Sequence, residues 1–285
     1  MDVVLRPATP ADAEPCGRIC YEAFRTIAER HGFPPDFPRP EMALAVMHRL
    51  LAHPGIHGVV AELGGRVVGS NFVDERTSIA GIGPITVDPA VQDRGIGRRL
   101  MEYVIARGDA ERRPGIRLVQ SGYHMRSLSL YTKLGFDPRE PLLTMQGTPP
   151  GTRIPGRDVR PARGGDLAAC NALATRVHGH DRGGELADAI REGIAAVVEH
   201  DGRISGYATA VAFFGHAVGE TFEDVQALIA AAPGYAGPGF LVPTRAVALV
   251  RWCLVAGLRA VQPMTLMSRG LYNEPAGAWL PSIAY

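Results

Sequence analysis

At 285 residues, with 46% hydrophobic and 21% charged side chains, the chain has material for two cores of ordinary water-soluble composition. A net charge of +1 excludes the diffuse positive field of a nucleic-acid or polyanion binder, so an acidic ligand must be held by local arrangement. The 4 cysteines lack Cys-x-x-Cys or metal-finger spacing, no apolar run spans a membrane and no signal peptide opens the chain. The expectation is a cytoplasmic protein with no metal, membrane or nucleic acid among its partners.

In chain order, Leu5-Arg6-Pro7-Ala8 leads to Thr9-Pro10, a capping residue followed by proline at a first helical position. Cys16 and Cys20 fall one helical turn apart in an apolar stretch, as small buried side chains do. A Pro-rich run, His31–Pro40, precedes two strands, Val60-Ala61-Glu62 and Gly65–Gly69, joined by a two-residue glycine turn. The strand Gly69–Val73 ends at Asp74-Glu75. Ile85-Thr86-Val87 then stops at Asp88-Pro89, and Gln92-Asp93-Arg94-Gly95-Ile96-Gly97-Arg98 opens a helix whose buried face is Leu100, Met101, Val104 and Ile105. A strand, a glycine turn and a helix in succession leave unpaired N–H groups at the positive end of the helix dipole, a site for phosphate. Leu100 stands where a dinucleotide fingerprint needs its third glycine, and no Gly-Lys-Ser/Thr is present, which argues against both classical nucleotide loops.

Residues 92–97 resemble the Gln/Arg-x-x-Gly-x-Gly/Ala loop of the GCN5-related N-acetyltransferase (GNAT) family, and Ser127–Phe136 resembles that family's Ala-x-x-Phe-Tyr-x-x-x-Gly-Phe segment. Ser127 and Leu130 replace the usual Ala and Phe, and His124 stands where the family often has Asn. The resemblance, which covers roughly residues 1–150, implies an acetyltransferase that moves an acetyl group from acetyl-CoA to an amine within a ternary complex. It implies that the pyrophosphate lies on Gln92, Asp93, Arg94, Gly95, Ile96, Gly97 and Arg98, and that Ile85, Thr86 and Val87 meet the pantetheine and thioester carbonyl. Tyr131 matches the tyrosine usually assigned to protonate the leaving thiolate.

The amine must also lose a proton, which for a lysine-like group at pH 7 costs on the order of 4.6 kcal/mol. Glu75, beside Asp74, and His124, after a predicted strand Ile116–Gln120, are the candidate bases. The acceptor is a small-molecule amine or a protein amino group. A non-catalytic acyl-CoA-binding regulator or a protein-interaction module is the alternative.

The second half repeats the first. Val159-Arg160-Pro161-Ala162, Asp166 and Cys170 recur at the spacing of Leu5–Ala8, Asp12 and Cys16, and Val197–Gly206 recurs for Val60–Gly69. The predicted fold class is therefore α/β (α+β), two tandem GNAT-like domains at 1–148 and 158–285, each a mixed, mainly antiparallel sheet flanked by helices. Met145–Arg157 is read as the linker, Phe240–Pro243 as the fourth strand of its half, and residues 214–238 as an Ω-like loop near the pocket. On that alignment the helix after Pro243 lacks the glycines, so the second domain is expected to be degenerate. The Arg245–Ala256 helix is apolar enough to suggest burial on several sides, and Trp279–Tyr285 too apolar for a free tail. The histidines at 48, 53, 57, 178 and 180 are read as surface groups, and an unpaired sheet edge is compatible with a homodimer.

Overall fold

The computed structural model describes residues 2–285, and among them no helix is long and apolar enough to cross a membrane. The first half opens with β1 (Val3–Pro7), α1 (Ala13–Arg30), α2 (Pro40–Ala52), β2 (Ile56–Leu63) and β3 (Arg66–Asp74). It continues through β4 (Ala80–Ile82), β5 (Thr86–Val87), α3 (Ile96–Ala110), β6 (Gly115–Ser121), α4 (Met125–Lys133) and β7 (Asp137–Gln146). Alternation along β2 sorts the two faces of the sheet. Val59 and Ala61 meet Leu100, Met101 and Val104 of α3, whereas Val60 meets Cys16, Ile19 and Met47 of α1 and α2. Each Val, Leu, Ile or Met among them taken fully out of water contributes about 1.5–3 kcal/mol.

Residues 147–157 contain no helix or strand. The second half then runs β8 (Asp158–Pro161), α5 (Leu167–His178), α6 (Gly183–Arg191), β9 (Ala196–His200) and β10 (Arg203–Ala208). After these come β11 (Ala217–Gly219), α7 (Phe222–Ala231), β12 (Phe240–Pro243), α8 (Val247–Val255), β13 (Arg259–Gly270) and β14 (Ala278–Leu280).

The repeat is three-dimensional. Arg6 holds Asp12 at 2.8 Å and Glu62 at 2.9 Å, and Arg160 holds Asp166 at 2.7 Å and Glu199 at 2.8 Å, so one strand–helix–strand clamp occurs twice. Cys16 and Cys170 are both buried, and both hairpins turn on two residues of positive φ, Gly64-Gly65 and Asp201-Gly202.

The halves exchange strands. The larger sheet has the order β1-β2-β3-β4-β6-β13-β7-β12, with β5 paired only to β3, and the smaller has the order β14-β11-β10-β9-β8. β13 enters between β6 and β7, while β7 carries β12 on its far side. The central order β6-β13-β7-β12 therefore matches β6 with β12 and β7 with β13. Phe240–Pro243 is thus the counterpart of β6 rather than of the fourth strand, and α8 the counterpart of α4. The counterpart of α3 is α7, inside the region expected to be an Ω-like loop. The strand repeat was offset because β11 is only 3 residues long and offers little pattern.

α8 also differs from expectation. Leu249 and Cys253 are buried, but Val247, Leu254 and Val255 face solvent, because one side of this helix is left uncovered. Trp279 lies in β14, and Tyr285 is buried with its ring 4.3 Å from the Arg117 guanidinium of the first half. The histidines divide. His178 and His180 are buried where the halves meet, and His53 reaches Asp188 of α6 at 3.0 Å.

Candidate active site

The site forms where the larger sheet splays. β4 pairs in parallel with β6 at Ala80–Ile116 and Gly81–Arg117, but β5 pairs only with β3, so a gap opens between β5 and the end of β6. The Asp88 N–H bonds to the Val68 carbonyl, and ladder alternation therefore turns the N–H groups of Val87 and Ile85 away from β3, toward the gap. That of Thr86 turns toward β3, and its hydroxyl sits 3.3 Å from Ser70. Two of the three strand residues expected to meet the thioester thus turn backbone donors to the gap.

Beside this edge stands the start of α3. Gly95 caps the helix at φ +75°, without any side-chain cap, so the first-turn N–H groups are left for a ligand. The glycines are not explained by internal packing. An added Cβ at Gly95 would meet nothing within 4 Å, although its backbone there disfavours a side chain, and at Gly97 it would meet nothing nearer than 3.8 Å. What Gly97 leaves is room above the backbone. Ile96 is buried and pins the turn, and Gln92 donates from Nε2 to the Val87 carbonyl at 3.2 Å, tying loop to strand. Asp93, at φ +69°, holds Arg126 of α4 at 2.6 Å. Gln92, Asp93, Gly95, Ile96, Gly97 and Arg98 line the adjoining cavity; Arg94 does not.

This cavity holds about 1110 Å³ and is walled by α1, β5, the loop, the end of β6, α4 and, from the second half, Phe213, Phe214, Met264, Ile283 and Ala284. Tyr131 lies on its wall, and burial pushes its phenol up to about 12 against the opposing Ser127 hydroxyl. Such a group is protonated at physiological pH. His124 also lines the cavity, with Nδ1 2.7 Å from the Ser127 hydroxyl. Burial, with His31, Arg126 and Arg30 nearby, holds it down at about 4, so the ring is neutral at physiological pH.

Glu75 is a correction. Its carboxylate is gripped by Arg107 through two 2.7 Å hydrogen bonds and does not line the cavity. Asp74 is likewise committed to Arg76. Asp74 ends β3 at its rung with Gly81 of β4 and Glu75 follows it, several residues beyond the Gly69 and Ser70 rungs with β5, so neither is aimed at the gap.

The buried acid on the cavity wall is Asp36, in the run between α1 and α2. It is 7% exposed and accepts a hydrogen bond from Gln262 of β13 at 3.0 Å. Burial pushes it up to about 6, with the Gln262 bond opposing. Its position between prolines in Pro34-Pro35-Asp36-Phe37-Pro38 was the available sequence signal, whereas nothing local marked Gln262.

The second half closes the equivalent position. Asp224 in the first turn of α7 accepts from the Thr221 N–H at 2.9 Å and from Ser205 at 2.7 Å, and forms an ion pair with Arg157 Nε at 2.7 Å. The first turn of α7 thus carries a buried carboxylate, whereas that of α3 carries no acidic residue. Among the described residues no group of three or more His, Cys, Asp or Glu is placed to hold a metal ion.

A splayed sheet with an uncapped glycine turn at its edge opens onto the cavity. Residues 21–136 match the acetyltransferase (GNAT) family. The sequence matches no curated protein. Among solved structures, a provisionally assigned acetyltransferase from Pyrococcus horikoshii is 20% identical, with a TM-score of 0.76 over 97% of this chain and 92% of its own. A GCN5-related N-acetyltransferase from Sphaerobacter thermophilus is 16% identical, with a TM-score of 0.62 over 95% and 96% of the two chains. Both likenesses run through both halves, so the two-unit architecture is a shared fold.

Proposed function

We propose that the protein is an acetyl-CoA-dependent N-acetyltransferase with one active site, built on a catalytic half at 1–148 and a degenerate half at 158–285. The observation that carries this reading is the uncapped start of α3 opening onto the same cavity as the unpaired edge of β5 and Tyr131. The residues fit acetyl-CoA as acyl donor. The N–H groups at residues 95–98 take the pyrophosphate, with Arg98 adding charge. The Ile85 and Val87 N–H groups polarise the thioester carbonyl, and Tyr131 protonates the departing thiolate. His124 and Ser127 order the solvent through which protons move. The second half contributes pocket wall and no second donor site, since Asp224 fills the equivalent helix start.

Titration calorimetry with acetyl-CoA on wild type and on Gly97→Glu tests this. One site per chain, lost in the folded variant, supports the assignment. Two sites, or none in wild type, refute it.

A further inference from the structure

We propose that the acceptor is a small primary amine that enters as an ammonium ion and is held by Asp36, in a pocket that only both halves together complete. This deepens the acetyl-transfer reading and rests on it.

Asp36 is a buried carboxylate with no Lys, Arg or His at ion-pair distance among the described residues. One oxygen accepts from Gln262 and the other has no protein donor. A buried acid left without a countercharge is among the costliest groups in a fold, and a cationic ligand relieves the cost. A second observation points into the same space. Gln120, on the end of β6 and 6% exposed, lines the cavity with both amide atoms unpartnered. It offers a donor and an acceptor to whatever the amine carries. The remaining acceptor wall is aromatic, with Phe24 and Phe37 from the first half and Phe213 and Phe214 from the second. The cavity's cations are committed or peripheral. Arg126 is paired to Asp93, Arg98 is paired to Glu102, and Arg30 and Lys133 are exposed. An acceptor with a carboxylate next to its ammonium would place that charge against Asp36 with nothing to answer it.

The reaction balances. The ammonium gives one proton to Asp36, the free amine attacks the thioester carbon, and the C–N bond forms as the C–S bond breaks. Tyr131 protonates the thiolate and recovers the amide nitrogen's surplus proton through solvent, and Asp36 later releases its proton to bulk water. The groups facing Asp36 are Gln262 of β13, Cys20 of α1 and Tyr123, with His31 and His124 across the cavity.

The test is calorimetric titration of phenethylamine, of phenylalanine and of an alanyl tripeptide into the full chain, with and without saturating CoA. Phenethylamine is expected to bind, with phenylalanine and the peptide about 100-fold weaker. Asp36→Asn should weaken phenethylamine about 30-fold or more, Asp36→Glu should restore it within a few-fold, and CoA affinity should be unchanged in both. Equal binding by wild type and Asp36→Asn overturns the proposal, as does preference for phenylalanine or the peptide, or failure of phenethylamine to bind. Loss of CoA binding would strike the acetyl-transfer reading instead, because the titration without CoA still reads the Asp36 pocket.

Discussion

Replacing Asp36 by Asn should make the protein more stable, in a way that depends on pH. The carboxyl is carried by burial from its ordinary 3.8 to about 6. The folded state therefore holds a proton that the unfolded chain has lost between about pH 4 and 6, and its stability falls as pH rises through that window. The penalty is absent below the unfolded value and complete above the folded one. A displacement of this size corresponds to about 3 kcal/mol at pH 8 and about 1.5 kcal/mol at pH 5. Asn keeps the shape and gains a donor for the Gln262 Oε1, which is buried without a partner. Urea unfolding of both proteins at pH 5 and pH 8 should show the variant ahead at both, with the larger gap at pH 8. Against a domain-scale stability of about 5–15 kcal/mol, a gain of that order is readily measured. A variant no more stable than wild type, or ahead by a pH-independent margin, would refute the reasoning.

Buried histidines act in the opposite sense. His124, His180 and His216 are all held down at about 4, chiefly by burial, and the Glu185 carboxylate 2.8 Å from His216 does not outweigh burial and Arg182. The unfolded chain binds protons there first, so His180 and His216 should each remove about 2 kcal/mol as pH falls from 7 to 5, and the half-buried His124 less, read from urea midpoints. Tyr131→Phe should lower kcat by about 100-fold or more in a thiol-release assay, with acetyl-CoA affinity unchanged. Gly97→Glu should keep the wild-type Tm within a few degrees, since an added Cβ meets nothing nearer than 3.8 Å, while acetyl-CoA binding is lost in calorimetry. Asp224→Ala should cost about 3 kcal/mol in urea unfolding by stranding Arg157 and uncapping α7.

The loop-and-helix edge of the cavity was legible because it is local. Gln92 to Gly97, the Leu100–Ile105 face and Tyr131 lie within single elements, where spacing dictates geometry. The duplicated clamp at Arg6 and Arg160 was legible for the same reason, as a strand and helix start repeated at one interval. The acceptor side was not, because its members meet only through exchanged strands. Asp36 and Gln262 are far apart in sequence, and no local period records that β13 will lie beside β6. Glu75 was misjudged because a strand end looks alike whether its acid faces a pocket or an arginine on the next helix. The buried His178 and His180 were taken for surface groups because their cover comes from elsewhere, Trp279 standing edge-on to His178 and Tyr285 bonding His180 at 2.9 Å.

The insertion of β13 between β6 and β7 gives the protein a particular order of birth. While a ribosome is still reading the second half, the nascent first half has its donor loop but an unfilled slot in its main sheet. Until β13 arrives, β6 and β7 lack the strand that joins them in the finished sheet. Closure waits for residues 259–270, so Gln262 reaches Asp36, and Phe213 and Ile283 roof the cavity, only after nearly the whole chain has emerged. A half-made chain therefore has the loop at the start of α3 but not the finished walls of the cavity.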